Sequence, residues 1–308
     1  MNTSSATPTF VLVPGLGATS FMWTPLVREL ALRGHRALPI ELPGHGFDTV
    51  FPAGYQCPQD TEKLATAPSP IAGLTLGDYV VHTVEVVRRV AVHGPVVLVG
   101  HSMGGSTVTS VANTAPELLA RIVYLCAYCC VQLPSLPSYA PTPRNADSLL
   151  TQFREVVRIG DPALTGAVRT NPRTGDSQVL AIQQMVLMAD LDPAQVPAVL
   201  NYAFQPDESV QAVLADAQIN PATWTQLPRT YIRTAHDRVL SPALQDRMIA
   251  EADALSPTNP FDVHSLNTRH LAPITQPAEI ADILTASAAP TMNNPGATVA
   301  VPRTATDP

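Results

Sequence analysis

Short runs of apolar and β-branched residues alternate along this chain with longer segments whose apolar positions recur every three or four residues. Phe10 to Val13, Arg36 to Leu42, Val96 to Val99, Arg121 to Ala127, Arg229 to Thr234 and Phe261 to Asn267 read as strands. Between them, Thr24 to about Leu32, Leu76 to Val90, Ser106 to Ala115, a segment opened by Ser241-Pro242, and Pro277 to about Ala286 carry the helical spacing. Helix starts are marked by Thr24 as a cap with Pro25 at the first helical position, and by Thr75 and Asp78 in a capping-box pattern. Strand, helix and strand repeated in this order predict a parallel sheet covered by helices.

Two parts break the alternation. Phe47 to Gly73 is irregular, rich in Pro, Ala and Thr, and too long for a simple connection, so it is expected as an ordered excursion beside the site. Residues 133–228 open on a proline-rich exit and continue as a mainly helical pattern interrupted at Asp161-Pro162, Asn171-Pro172, Asp192-Pro193 and Gln205-Pro206. They are expected to form a helical cap inserted into a core made of 1–132 and 229–287. The residues 288–308 have little to bury and are expected as a disordered tail.

Composition narrows the function classes. A chain of 308 residues allows one large α/β domain with an inserted cap. A net charge of -7 with no basic cluster argues against nucleic-acid binding and favours a neutral, largely apolar substrate. No apolar run reaches transmembrane length, and Met1 to Thr9 lacks the features of a secretory signal. A cytoplasmic protein with no membrane association is therefore expected, and a homodimer is compatible with this reading. Cys57, Cys126, Cys129 and Cys130 lack a zinc-ligand spacing. Reduced, buried thiols are expected, with a disulfide from Cys57 to Cys129 or Cys130 as the less favoured alternative.

The chemistry centres on Gly100-His101-Ser102-Met103-Gly104, at the end of an apolar strand and the start of a helix. This G-x-S-x-G pattern in strand-turn-helix context is a nucleophile elbow, in which a strained serine presents its hydroxyl above the sheet. Gly105 lets the following helix approach closely. A serine hydroxyl needs a base, and the base needs an orienting carboxylate, here in the order Ser, acid, His after later strands. Asp237 follows the strand 229–234 and His270 follows the strand 261–267, whereas no carboxylate follows the strand 121–127. Parallel strands place all three residues at one edge of the sheet.

Acyl transfer also needs donors for an oxyanion. The backbone N–H groups of Met103 and Leu16 are the candidates, the latter from Pro14-Gly15-Leu16-Gly17, with Gly17 as the fallback. His101, expected to pack beneath the elbow, joins Gly15, Gly17 and Leu271 as residues bordering the substrate. His45 and His236 are placed at the entrance, and His264 is read as an ordinary strand residue. From the cap, Met185, Leu187, Met188, Tyr202, Phe204 and Trp224 are expected to line a pocket. No metal and no cofactor is required by this chemistry.

These motifs, from Phe10 through Leu42-Pro-Gly-His-Gly46, the elbow, Thr230 to Asp237, and His270 with Gln276-Pro277, resemble the α/β-hydrolase superfamily. The resemblance is to the group of plant methylesterases and hydroxynitrile lyases with their bacterial esterase-like relatives, and it covers most of residues 8–287. It implies the α/β-hydrolase fold, with six main parallel strands, the second strand in chain order at one edge, and a helical cap after the fourth. The lyases of this group carry a threonine in the oxyanion loop and a lysine after the histidine, where this chain has Gly15 and Leu271. The resemblance therefore implies a serine hydrolase acting on a small-molecule carboxylic ester or lactone. Acyl transfer, lyase or carbon-carbon hydrolase chemistry on the same residues, and a ligand-binding receptor retaining the fold, are the alternatives.

Overall fold

The central apolar runs form strands because they are covered on both faces. In the computed structural model, which describes residues 7–288, β1 (Thr9–Val13) is buried throughout. Its Phe10 and Leu12 join one core and its Val11 and Val13 the other, the two-residue period of a strand with no solvent face. The remaining strands are β2 (Arg36–Pro39), β3 (Val96–His101), β4 (Arg121–Leu125), β5 (Ala167–Arg169), β6 (Asp207–Ser209), β7 (Arg229–Thr234) and β8 (Asp262–Leu266). Six of them make one sheet in the order β2-β1-β3-β4-β7-β8, with every neighbouring pair parallel. The expected sheet and its β2 edge are both present. Among the described residues no helix is long and apolar enough to cross a membrane.

Helices of eight residues or more are α1 (Thr24–Leu32), α2 (Leu76–Ala91), α3 (Gly104–Thr114), α4 (Leu150–Val157), α5 (Ser177–Leu187), α6 (Val196–Ala203), α7 (Pro242–Leu255) and α8 (Pro277–Ser287). Leu26 and Leu30 of α1 and Ile280 and Leu284 of α8 cover one face of the sheet. Residues of α2, α3 and α7, such as Val84, Val108 and Met248, cover the other. The Thr75 and Asp78 capping box is formed in full at the start of α2, and Ser241 caps α7 through Leu244 N–H. Thr24, by contrast, caps nothing. A 3-10 turn, Ser20–Trp23, runs directly into α1, and the capping oxygen is that of Thr19, which accepts from Phe21 N–H. Strand β2 stops at Pro39, short of Leu42, because the chain turns away toward Pro43-Gly44 after one last bond from Ile40 N–H to Leu12 C=O.

From 126 to 228 the chain leaves the sheet and returns. This excursion holds α4, α5 and α6, and also an antiparallel ribbon of β5 and β6 that the helical sequence pattern did not foresee. The ribbon ties down the irregular stretch after β2. Buried Arg169 grips Asp207 with two bonds of 2.6 and 2.7 Å and donates to the carbonyls of Leu64 and Ala67. Leu64 belongs to a short helix, Thr61–Thr66, capped by Asp60, so this stretch is ordered. The four cysteines are free, with Cys57 exposed and Cys126, Cys129 and Cys130 buried, which removes the disulfide alternative. The tail expected at 288–308 lies, from 289 onward, outside the described residues.

Candidate active site

Strand β3 ends at His101, and Ser102 takes a left-handed backbone conformation with φ 54°, rare for a residue with a side chain. Its carbonyl is used twice, accepting Gly105 N–H and Tyr128 N–H, which locks the turn between strand and helix. A methyl group at Gly105 would run into the Tyr128 carbonyl, so only glycine lets α3 start this close to the end of β4.

Asp237 and His270 reach the serine from the ends of β7 and β8. Asp237 Oδ1 accepts Val239 N–H at 2.7 Å and Leu240 N–H at 3.0 Å, and Oδ2 accepts the Thr234 hydroxyl at 2.9 Å. With its lone pairs so engaged, the buried carboxylate has one orientation. His270 Nδ1–H donates to Asp237 Oδ2 at 2.7 Å, which leaves Nε2 to accept from Ser102 Oγ at 2.9 Å. Serine, histidine and aspartate thus form one continuous hydrogen-bonded chain, as the spacing predicts.

Behind the histidine sits a second support. His101 Nε2–H and the Cys126 thiol both donate to the His270 carbonyl, at 2.9 and 3.3 Å. Burial, with the neighbouring His270, pushes the His101 pKa down to about 3, so this ring is neutral. Burial likewise raises the Cys126 thiol and keeps it protonated. His101, Cys126 and His270 bring potential metal-binding atoms within 4.8 Å of one another; His101 Nε2, the Cys126 thiol and both His270 nitrogens are engaged in the bonds just described, while His101 Nδ1 has no partner among the described residues.

The backbone N–H groups of Leu16 and Met103 have no acceptor among the described residues, and both residues border the cavity above Ser102. This is the arrangement an oxyanion requires. Gly15 lies so close that an added Cβ would stand 3.0 Å from the Ser102 Cβ. The cavity has a volume of about 440 Å³ and is walled mainly by apolar groups, including Leu136, Phe153, Leu187, Leu200, Phe204 and Val213. Gly15, Gly17, His101 and Leu271 also line it.

Four cap residues expected in the pocket lie elsewhere. Met185 is 47% exposed on the outward side of α5, and Met188 is buried in the core rather than facing the cavity. Trp224 packs under the sheet end, its Nε1–H donating to the Tyr124 hydroxyl and its ring against Arg229 and Phe261. Tyr202, 72% exposed, is also outside the lining, whereas Leu187 and Phe204 are within it. Helical spacing marks an apolar face and does not say whether that face meets a core or a cavity.

His45 is not at an entrance. It is fully buried and donates from Nε2 to Glu208 of β6 at 3.2 Å. The Glu208 carboxylate also accepts Tyr79 O–H at 2.7 Å, Ser209 N–H at 3.1 Å and, from the loop after β1, Gly17 N–H at 3.0 Å. Burial disfavours both charges, yet their mutual attraction prevails, lowering the Glu208 pKa and raising that of His45. Gly17 is pinned on its other side as well, since its carbonyl accepts Gln205 N–H at 2.9 Å. The cap therefore holds the loop that presents Leu16 N–H. Nothing in the sequence marks Glu208, whose partners Tyr79, His45 and Gly17 stand 129 to 191 positions away.

The chain matches the model of the alpha/beta hydrolase family over residues 10–283. A chloroplastic methylesterase-like chain of Arabidopsis thaliana, methylesterase 12, is 23% identical over 243 residues, 79% of this chain. The match spans 62% of that relative's length. Pheophorbidase of Raphanus sativus is 24% identical over 246 residues, 78% of this chain and 80% of that protein. Among solved structures, a pyrethroid hydrolase from Sphingobium faniae JZ-2 superposes with a TM-score of 0.64 at 19% identity, covering 92% of this chain and 98% of that one. The methylesterase MES16 from Arabidopsis gives 0.63 at 19%, covering 91% and 98%. Structural likeness at such identity speaks for the fold alone. With the family match running from the first strand into the last helix, this chain belongs to the alpha/beta hydrolase family.

Proposed function

We propose that this protein is a serine hydrolase that cleaves small-molecule carboxylic esters or lactones through an acyl-enzyme. The observation that carries the reading is the buried Asp237–His270–Ser102 chain beside two unengaged N–H groups on an apolar cavity. His270 Nε2 takes the Ser102 proton as Oγ attacks the carbonyl carbon, and Asp237 stabilises the imidazolium that forms. The N–H groups of Leu16 and Met103 receive the oxyanion. Collapse of the tetrahedral intermediate expels the alcohol with a proton from His270, and water activated by the same nitrogen releases the acid. The methylesterase and pheophorbidase relatives support ester chemistry. Gly15 and Leu271 support it over lyase chemistry, since the lyases of the resembled group carry a threonine and a lysine at these positions. The free cysteines fit a reducing compartment such as the cytoplasm.

The test is pre-steady-state hydrolysis of short and medium p-nitrophenyl esters, with mass analysis of labelling by a fluorophosphonate. A burst and a single label are expected, and Ser102→Ala should abolish the label and lower kcat by about 10⁵-fold or more. Undiminished turnover by Ser102→Ala in a folded protein would sink the assignment.

A further inference from the structure

Charge is distributed unevenly around the cavity. The chain carries a net charge of -7, yet among the described residues no aspartate or glutamate lines this cavity. Its charged lining residues are Arg154 and Arg158. They belong to a single stripe. Leu150, Phe153, Arg154, Val157 and Arg158 are spaced at helical intervals, all five line the cavity, and α4 with the residue that follows it turns this one face inward.

Both arginines are exposed, which places them at the mouth rather than on the floor. Among the described residues neither guanidinium has a carboxylate within ion-pair distance or a side-chain hydrogen bond to the protein, although Glu155 is next in sequence to Arg154. Elsewhere the half-buried arginines Arg33, Arg233 and Arg247 each hold an acidic partner. Two like charges four positions apart repel each other on a helix, a cost that an anion between them removes. The field also reaches inward: burial raises the pKa of Tyr128 on the cavity wall, and the Arg154 charge opposes that rise.

We propose that the substrate is an amphiphilic ester whose apolar body fills the cavity and whose far end carries an anionic group, carboxylate or phosphate, held by Arg154 and Arg158. This rests on the esterase reading and revises the expectation of a wholly neutral substrate. The absence of a basic cluster in sequence conceals the pair, because two arginines in an acidic chain become a charged site only when folding brings them to a cavity whose lining, among the described residues, holds no carboxylate.

The experiment compares methyl esters of matched length that end in a carboxylate, a phosphate or a neutral amide, measured as kcat/KM for the wild type, Arg154→Gln, Arg158→Gln and the double variant. The wild type should favour one anionic series over the amides by about five- to tenfold, mostly through KM, and the preference should shrink as salt is raised. The better anionic series identifies the source of the charge. The double variant should lose that preference while hydrolysing the amide series as well as the wild type does, which also reports that it is folded. Equal rates on anionic and amide esters, or a preference that survives in the double variant, would overturn the proposal and leave the esterase reading intact. Loss of activity on every ester together with absent fluorophosphonate labelling would instead remove the esterase reading and this proposal with it.

Discussion

The two sides of the reacting centre are held in place by different kinds of contact. On the Ser102 side, each group sits at the end of a parallel strand, and Asp237 and Ser102 are oriented largely by neighbours close in sequence. Asp237 is oriented by Thr234, Val239 and Leu240, and Ser102 by the turn that closes on Gly105. On the side of the loop after β1, Gly17 is fixed by Gln205 and Glu208, which arrive from the segment between β4 and β7. The first arrangement depends on local geometry imposed by a rigid sheet. The second depends on a buried ion pair between segments far apart in the chain, and its strength is set by protonation.

Substitutions separate the two. The largest expected effect is on the sheet side: Asp237→Asn, which favours the wrong tautomer of His270, should lower kcat by about 10⁴-fold with little change in the circular dichroism spectrum. A loss of tenfold or less would mean that Asp237 does not orient the base. On the cap side, Glu208→Gln keeps the volume of the side chain but weakens its hold on Gly17. A fall in kcat of about 10- to 100-fold with KM nearly constant is expected, because the loop would be displaced while the cavity is unchanged. An equal rise in KM and unchanged kcat would place Glu208 in binding or in folding alone.

The ion pair also predicts a pH dependence. His45 has its pKa raised in the folded state, so its contribution to stability is complete below its ordinary value of 6.5 and is lost as pH rises through the folded value. Glu208 has its pKa lowered, so its contribution is present above its ordinary value of 4.5 and is lost as pH falls through the folded value. His45→Gln should accordingly be less stable than the wild type by about 3 kcal/mol where both groups are charged, with the gap closing toward either extreme. Denaturant titrations at several pH values measure this, and a gap independent of pH would show that the two groups are not a charged pair. The smallest effect is expected at Trp224→Phe. Losing the bond to Tyr124 should cost about 1 kcal/mol of stability and leave kcat/KM unaltered. A change in substrate preference there would return Trp224 to the pocket wall.

The same division explains what could be read in advance. The strands and the Ser102, Asp237 and His270 positions follow from runs and motifs of a few residues, because a strand end and a tight turn leave local marks in sequence, whereas the place of β2 at the sheet edge follows only from the family resemblance. Thr19 in place of Thr24 as the capping residue is a small local displacement, produced by a 3-10 turn that has no periodicity of its own. The ribbon of β5 and β6 is three residues per strand, too short for alternation to register, and its Asp207 and Glu208 resemble surface acids until Arg169 and His45 are brought to them. Met185, Met188 and Trp224 carry the same apolar signal as the true lining residues Leu187 and Phe204. Which face meets a cavity is decided by how helices dock.

The double tether on Gly17 matters for anyone who would redesign this scaffold. Replacing the cap wholesale is an attractive way to change what the cavity accepts, since the sheet-borne residues would remain untouched. Such a graft would discard Gln205 and Glu208 along with the old walls, leaving Ser102 armed beside a loop with nothing to hold its donor in place. A transplant that keeps 204–208 and varies the segment around α4 changes the walls while preserving the tether.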